Sequence, residues 1–260
     1  MRVFVAGATG YIGRHVVREL LRKEHDVVAF ARPGSRADDG AEVRHGHVTD
    51  PASIARDGLR GERFDAVVSC LATRTGGVKD AWRIEHEAQL HILSAAQSAG
   101  IERFVLLSAI CVQRPQLEFQ KAKLAFERAL MKSGLAYSIV RPTAFFKSLA
   151  GQVERVRSGK PFMVLGSGEL TSCKPISERD LAGFLADCLE DPNKRNAILP
   201  VGGPGPAITG LDQAEMLGRA FGREVRVRRV PLAVMNGIVA ALSAGAYVLP
   251  SLRDKAAFAR

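Results

Sequence analysis

The chain has four cysteines in 260 residues, and no two form a C-x-x-C pair. Cys70, Cys111, Cys173 and Cys188 are too scattered for a disulfide framework or a zinc ribbon, and they read as reduced thiols in or near the core. Histidine is also sparse, with six residues. His45 and His47, and His86 and His91, come without a further ligand set, so no metal site is expected. There are no repeats and no low-complexity segments. No nucleic-acid motif accompanies the net charge of +10, and the arginines are spread along the whole chain. The excess therefore reads as a solvated basic surface, a few of whose groups serve anionic ligands, and no nucleic-acid partner is expected. No targeting segment separates Met1 from the first apolar run, from which a cytoplasmic location is expected. Long apolar runs are also scarce. The exception is PLAVMNGIVAALSAGAYVLP at 231–250, almost uncharged and about bilayer length, although Asn236 and several glycines and alanines argue against insertion. It is expected to form a helix bordering the substrate pocket, with loose contact to a membrane surface as a second reading.

What is present starts at the first residue. MRVFVAGATGYIG sets a valine-rich strand, Arg2–Ala6, directly before the glycines Gly7, Gly10 and Gly13. Val16, Val17, Leu20 and Leu21 then share one helical face. Strand, glycine turn and helix in that order make a dinucleotide site: Gly7 for the tight turn, Gly10 for backbone approach to a pyrophosphate, Gly13 for close helix–strand packing. Thr9, Tyr11 and Ile12 complete the cofactor loop, and the helix N-terminus offers free N–H groups to the phosphates.

Strand and helix alternate through about residue 140. Strands are expected at Arg2–Ala6, Asp26–Ala31, Ala41–His45, Phe64–Cys70, Arg103–Ser108 and Ala136–Val140. Helices are expected near Ile12–Lys23, Ser53–Leu59, Asp80–Ala99, Gln116–Ser133, Glu178–Leu189 and Leu211–Phe221. The predicted fold class is α/β, a Rossmann-like doubly wound parallel sheet with a small C-terminal substrate lobe. The expected division is a nucleotide-binding domain at 1–145 and a substrate lobe at 146–260 whose interleaved elements complete the sheet. Gly/Pro-rich stretches such as Gly166-Ser167-Gly168 and Val201–Pro206 read as loops of that lobe.

The second strand ends at Ala31-Arg32 with no acidic residue at its tip. A carboxylate there would hold a ribose 2′-hydroxyl, whereas Arg32, with Arg36 four residues on, suits a 2′-phosphate. The expected cofactor is NADPH. Asp50, after the third strand, is placed beside the adenine. Leu71 and Ala72, after the fourth, let backbone pass close to the nicotinamide ribose.

The glycine loop resembles that of the atypical short-chain dehydrogenase/reductases, whose usual Tyr-x-x-x-Lys pair aligns with Phe119-Gln120-Lys121-Ala122-Lys123. The lysine spacing is kept, but phenylalanine has no hydroxyl to transfer a proton. Lys123 is expected to reach the nicotinamide ribose, and Ser108 matches the superfamily's catalytic serine, with a ribose or substrate contact favoured. The blocks VVSCLATRTGGVKDAWRIEHEAQ, FVLLSAICVQRPQLEFQKAKLAFE, YSIVRPTAFFKSLAGQVERVRSGKPF, CKPISERDLAGFLADCL and LPVGGPG are similar to those of the NADPH-dependent 3,8-divinyl chlorophyllide 8-vinyl reductases of chlorophyll and bacteriochlorophyll synthesis. That resemblance implies a tetrapyrrole substrate. Phe145 and Phe146 would stack on the macrocycle, and Lys147 or Lys174 would meet its propionate carboxylate. It also implies a place at the periphery of a photosynthetic membrane, and leaves the oligomeric state open. Two other readings stand beside it: an NADP-binding sensor or assembly protein on the same fold, and a reductase of another conjugated alkene. Exchanging Arg32 for alanine is expected to raise the apparent KM for NADPH far more than that for NADH in steady-state assays. Equal effects on both would rule out the 2′-phosphate role.

Overall fold

A computed structural model describes residues 1–36, 40–73 and 77–248. It divides into two compact units: residues 1–142 with 178–201, and residues 143–177 with those from 202 onward.

The first unit is built on a seven-stranded parallel sheet: β1 (Arg2–Ala6), β2 (Asp26–Ala31), β3 (Glu42–His45), β4 (Ala66–Ser69), β5 (Arg103–Leu107), β6 (Ala136–Pro142) and β9 (Ala197–Val201). The strand order is β3-β2-β1-β4-β5-β6-β9. Val3, Phe4, Val5 and Ala6 are fully buried, as are Ala66 and Val68 in β4 and Phe104 and Val105 in β5. These strands are apolar on both faces because helices cover both, so their sequences run continuously apolar rather than alternating. The helices of this unit with ten or more residues are α1 (Gly13–Arg22), α2 (Ala88–Ser98), α3 (Glu118–Met131) and α4 (Glu178–Asp187). The strand order reverses between β1 and β4. In sheets of this kind the ligand crevice lies beyond the carboxyl ends of the strands at such a reversal. Gly7, Cys70 and Ser108 stand just past the ends of β1, β4 and β5.

All six expected strands are present, some shorter. The expected Ala41–His45 starts at Glu42, and Phe64–Cys70 contracts to Ala66–Ser69. The seventh strand, β9, was hidden in the Pro/Gly-rich region. Its sequence AILPV holds a proline, which an edge strand tolerates because one side of its backbone has no strand partner. The expected helix from Asp80 to Ala99 is not uniform. A short α-helical piece, Val78–Ala81, leads into a π-helix, Trp82–Glu87, before α2 begins. A second π-helix, Ile54–Leu59, occupies most of the expected Ser53–Leu59 helix.

The second unit has β7 (Phe162–Leu165), β8 (Ser172–Cys173), β10 (Ile208–Thr209), β11 (Val227–Val230) and the helices α5 (Gly210–Phe221) and α6 (Leu232–Val248). β7 pairs in parallel with β11, and β8 antiparallel with β10. Val156, Phe162, Val164 and Ala214 form its small core. Thr209 caps α5 in a capping box with Asp212. In α6, Leu232, Val234 and Ile238 are each about half exposed to solvent. Positions 249 and 250 of the helix expected at 231–250 lie outside the described residues. Among the described residues no helix is long and apolar enough to cross a membrane.

The four cysteines are free thiols. Burial pushes the Cys70 thiol up to about 12, against a small opposing pull from the positive Lys123. Burial likewise raises Cys188 to about 12. Thiolate is the reactive form, so at roughly pH 8 both should resist alkylation in the native protein. Iodoacetamide labelling followed by mass spectrometry, with a urea-unfolded control, is expected to find them modified only after unfolding.

Candidate active site

The glycine loop is set by packing as much as by conformation. Gly7 has φ +76, and a Cβ on it would lie 2.8 Å from the backbone carbonyl carbon and oxygen of Cys70. A Cβ on Gly13 would lie 2.0 Å from the Gly7 carbonyl oxygen, which no rotamer change can relieve. Gly10 differs. It is exposed, donates its N–H to Gly7 O at 3.0 Å, and an added Cβ would meet only that oxygen, at 3.1 Å. The loop is thus tight on the sheet side and open on the outer side. α1 begins just beyond it with Ile12 at the N-cap and no side-chain cap. A bare helix N-terminus behind an open glycine is a fit for a pyrophosphate, which would accept hydrogen bonds from backbone N–H groups and sit at the positive end of the helix dipole.

The other cofactor candidates occupy varied settings. Thr9 is half-buried and Ile12 buried. Tyr11 donates its hydroxyl to Glu178 Oε2 at 2.8 Å, at the start of α4. Burial, followed by that carboxylate, raises the Tyr11 phenol above its usual range. Arg32 and Arg36 lie exposed just past the end of β2. Asp50 is committed to local structure: its carboxylate accepts the Ala52 N–H at 3.0 Å and caps the short helix starting at Pro51. Past the end of β4, Leu71 is buried and Ala72 exposed.

Lys123 is not a surface lysine. Its side chain is 10 % exposed, and its ammonium stands 2.8 Å from Glu85 Oε2, whose own side chain is 1 % exposed. Glu85 Oε1 accepts the backbone N–H of Thr73 at 2.8 Å. Phe119, one turn before Lys123 on α3, is half-buried. One turn after it comes Glu127, fully buried. Glu127 accepts a short hydrogen bond from the Ser108 hydroxyl and is paired with the Arg141 guanidinium, whose Nε lies 3.2 Å from Glu127 Oε1. Ser108, expected to contact ribose or substrate, therefore has its proton directed at Glu127. Sequence reasoning missed Glu85, Glu127 and Arg141. A signal for Glu127 was available, since Lys123, Glu127 and Leu130 continue the inward stripe of α3 that includes Phe126.

The substrate candidates belong to the second unit, where the fold gathers them. The Thr143 hydroxyl donates to the Lys174 carbonyl, and Gly203 N–H donates to the same oxygen at 3.2 Å. Phe145 forms a β-bridge with Ile176 and is half-buried, and Phe146 is 46 % exposed. The Lys147 and Lys174 side chains are both exposed.

Comparison with known proteins defines what this arrangement belongs to. A model of the NAD(P)H-binding family matches residues 7–192, so the loop and sheet are those of a nicotinamide-cofactor protein. The chloroplastic divinyl chlorophyllide a 8-vinyl-reductase of Oryza sativa subsp. indica is 52% identical over 275 residues, covering 99% of this chain and 68% of that protein. The chain belongs to the divinyl chlorophyllide a 8-vinyl-reductase family. The Zea mays reductase of the same name is 49% identical, over 99% of this chain and 69% of its own. Among solved structures, leucoanthocyanidin reductase from Vitis vinifera bound to NADPH superposes with a TM-score of 0.74 at 20% identity, over 99% of this chain and 85% of that one, and shares the fold. These reductase relatives are named chloroplastic, which overturns the expectation of a cytoplasmic protein.

Within the reductase fold, Glu127 joins β5, α3 and β6 through its bonds to Ser108 and Arg141. Removing one partner of a buried ion pair strands the other charge, at a cost of about 3–5 kcal/mol. Glu127→Ala is expected to lower stability by about that amount in urea titrations. A loss below about 1 kcal/mol would show that water or rearrangement already serves Arg141.

Proposed function

We propose that this protein uses NADPH to reduce the 8-vinyl group of a 3,8-divinyl chlorophyllide to ethyl, in chlorophyll or bacteriochlorophyll synthesis. The observation that carries the reading is the near-full-length match to reductases of that substrate. The choice of NADPH over NADH rests on Arg32 at the tip of β2, where a 2′-hydroxyl site would place a carboxylate.

Gly7–Gly13 would hold the pyrophosphate, Arg32 and Arg36 the 2′-phosphate, and Lys123 the nicotinamide ribose. When bound, the cofactor supplies the hydride. Adding hydride to the terminal vinyl carbon and a proton to the inner carbon converts C=C to an ethyl group and balances the reaction. Between the two additions the negative charge on the inner carbon is delocalised over the macrocycle. A strong protein acid is thus unnecessary, which is consistent with a phenylalanine at 119. Water would then supply the proton. The remaining task is positioning. Phe145 and Phe146 offer flat apolar faces to a macrocycle, and the positive charges of Lys147 and Lys174 suit a propionate carboxylate.

Purified protein with NADPH and 3,8-divinyl chlorophyllide a is expected to shift the Soret band to the blue as the vinyl group leaves conjugation. Tight NADPH binding with no shift would overturn the reading in favour of a cofactor-binding assembly protein. Reduction of another conjugated alkene in preference to the tetrapyrrole would reassign the substrate.

A further inference from the structure

Three segments meet at Glu85. The π-helix Trp82–Glu87 carries it, and the wider turn of a π-helix breaks the 3.6-residue register of the helix it joins. Its carboxylate then divides between two partners: Oε1 takes the Thr73 N–H just past β4, and Oε2 takes the Lys123 ammonium from α3. The same region is pinned at two further points. Trp82 Nε1 donates to Glu118 Oε2 at 2.9 Å at the start of α3, and the Thr73 hydroxyl donates to Asp80 at 2.5 Å. Through Glu85, the Lys123 ammonium is linked to the backbone just past the carboxyl end of β4.

We infer that Glu85 is the positioning residue of the cofactor site, fixing the Lys123 ammonium and the backbone after β4 in one arrangement toward the nicotinamide ribose. The inference rests on the reading that Lys123 faces the cofactor. A buried ion pair stabilises a fold weakly, because desolvating both charges offsets their attraction, and two apolar side chains would serve packing as well. What an acid does here that an apolar residue cannot is orient. Its Oε1 holds the Thr73 N–H while its Oε2 attracts the Lys123 ammonium at 2.8 Å, so one carboxylate sets both, and an ammonium has three donors to offer hydroxyl oxygens. Glu85 is sealed, whereas Lys123 retains a small exposed fraction, so the pair has a closed end and an open end. In the short-chain dehydrogenase pattern the lysine works beside a tyrosine. Here the residue one turn away is Phe119, and Glu85 is the charged neighbour that remains.

The test is a double-mutant cycle read by NADPH fluorescence titration without tetrapyrrole. Lys123→Met and Glu85→Gln are each expected to weaken NADPH binding about tenfold, the size of one charge-assisted hydrogen bond. The double variant should bind within about twofold of Lys123→Met alone, because Glu85→Gln keeps an oxygen for the Thr73 N–H and loses only its charge toward the lysine. Glu85→Gln keeps the shape of the side chain, and the double variant leaves no unpaired buried charge; circular dichroism melting checks that each variant is folded. If the two factors multiply, or if Glu85→Gln alone leaves the affinity unchanged, the positioning role is overturned while the cofactor reading stands. If Lys123→Met binds NADPH as tightly as the wild type, the reading that Lys123 faces the cofactor falls, and the inference with it.

Discussion

The Gly13 Cα sits so close to the Gly7 carbonyl that a single methyl group would overlap it, at 2.0 Å. Everything downstream in the first unit depends on that approach. It lets α1 start directly off the end of β1, while Gly7 itself packs against the Cys70 backbone at the end of β4, the neighbouring strand across the sheet reversal. The two strand ends that flank a dinucleotide in this kind of sheet are therefore locked to each other before any ligand arrives. Pre-formed binding groups lower the ordering cost of association, so a tight loop serves affinity as well as folding.

The second organising feature is the polar seam on α3. Lys123 and Glu127 lie one turn apart on a face that otherwise packs as core, with Ala122, Phe126 and Leu130 buried beside them. Each is neutralised by a partner from a different segment: Glu85 for Lys123, and Arg141 with Ser108 for Glu127. The helix is thus tied to the residues after β4 at one end of the seam and to β5 and β6 at the other. Buried charge is costly unless satisfied, so such a seam penalises any docking of α3 that shifts it along the sheet. It specifies a position more than it adds stability.

Much of this was legible in the sequence. The glycine spacing after a valine-rich run marks the loop, and continuous apolar runs mark β1, β4 and β5 because no face of theirs meets water. β9 escaped because Ala197–Val201 shows only alternate burial and contains Pro200, both properties of an edge strand, in a region where Gly and Pro read as loop. Lys123 was legible by its spacing from Phe119, yet its burial was not, since lysine on a helix usually reaches water. Glu85 was illegible for a geometric reason. A residue's facing is projected from the 3.6-residue period, and the π-helix between Val78–Ala81 and α2 changes that period where Glu85 stands. Asp50 shows the converse. Its place after β3 suited an adenine contact, but an aspartate directly before Pro51 and Ala52 also fits a helix cap, and the structure shows it capping.

Phe119 and the Glu85–Lys123 pair bear on one question, how this fold handles protons. A hydroxyl beside the lysine suits carbonyl reduction, where charge builds on an oxygen that must be protonated at once. When the acceptor is a vinyl group on an aromatic macrocycle, the charge spreads into the ring, and a fixed acid near the nicotinamide brings no comparable benefit. A phenylalanine at that position adds apolar surface where a flat substrate would be favoured over water. On the proposed reading, a lysine without the hydroxyl neighbour would still have cofactor to hold, and it would need another group to orient it. The carboxylate of Glu85, brought inward by the π-helix, is placed to meet that need.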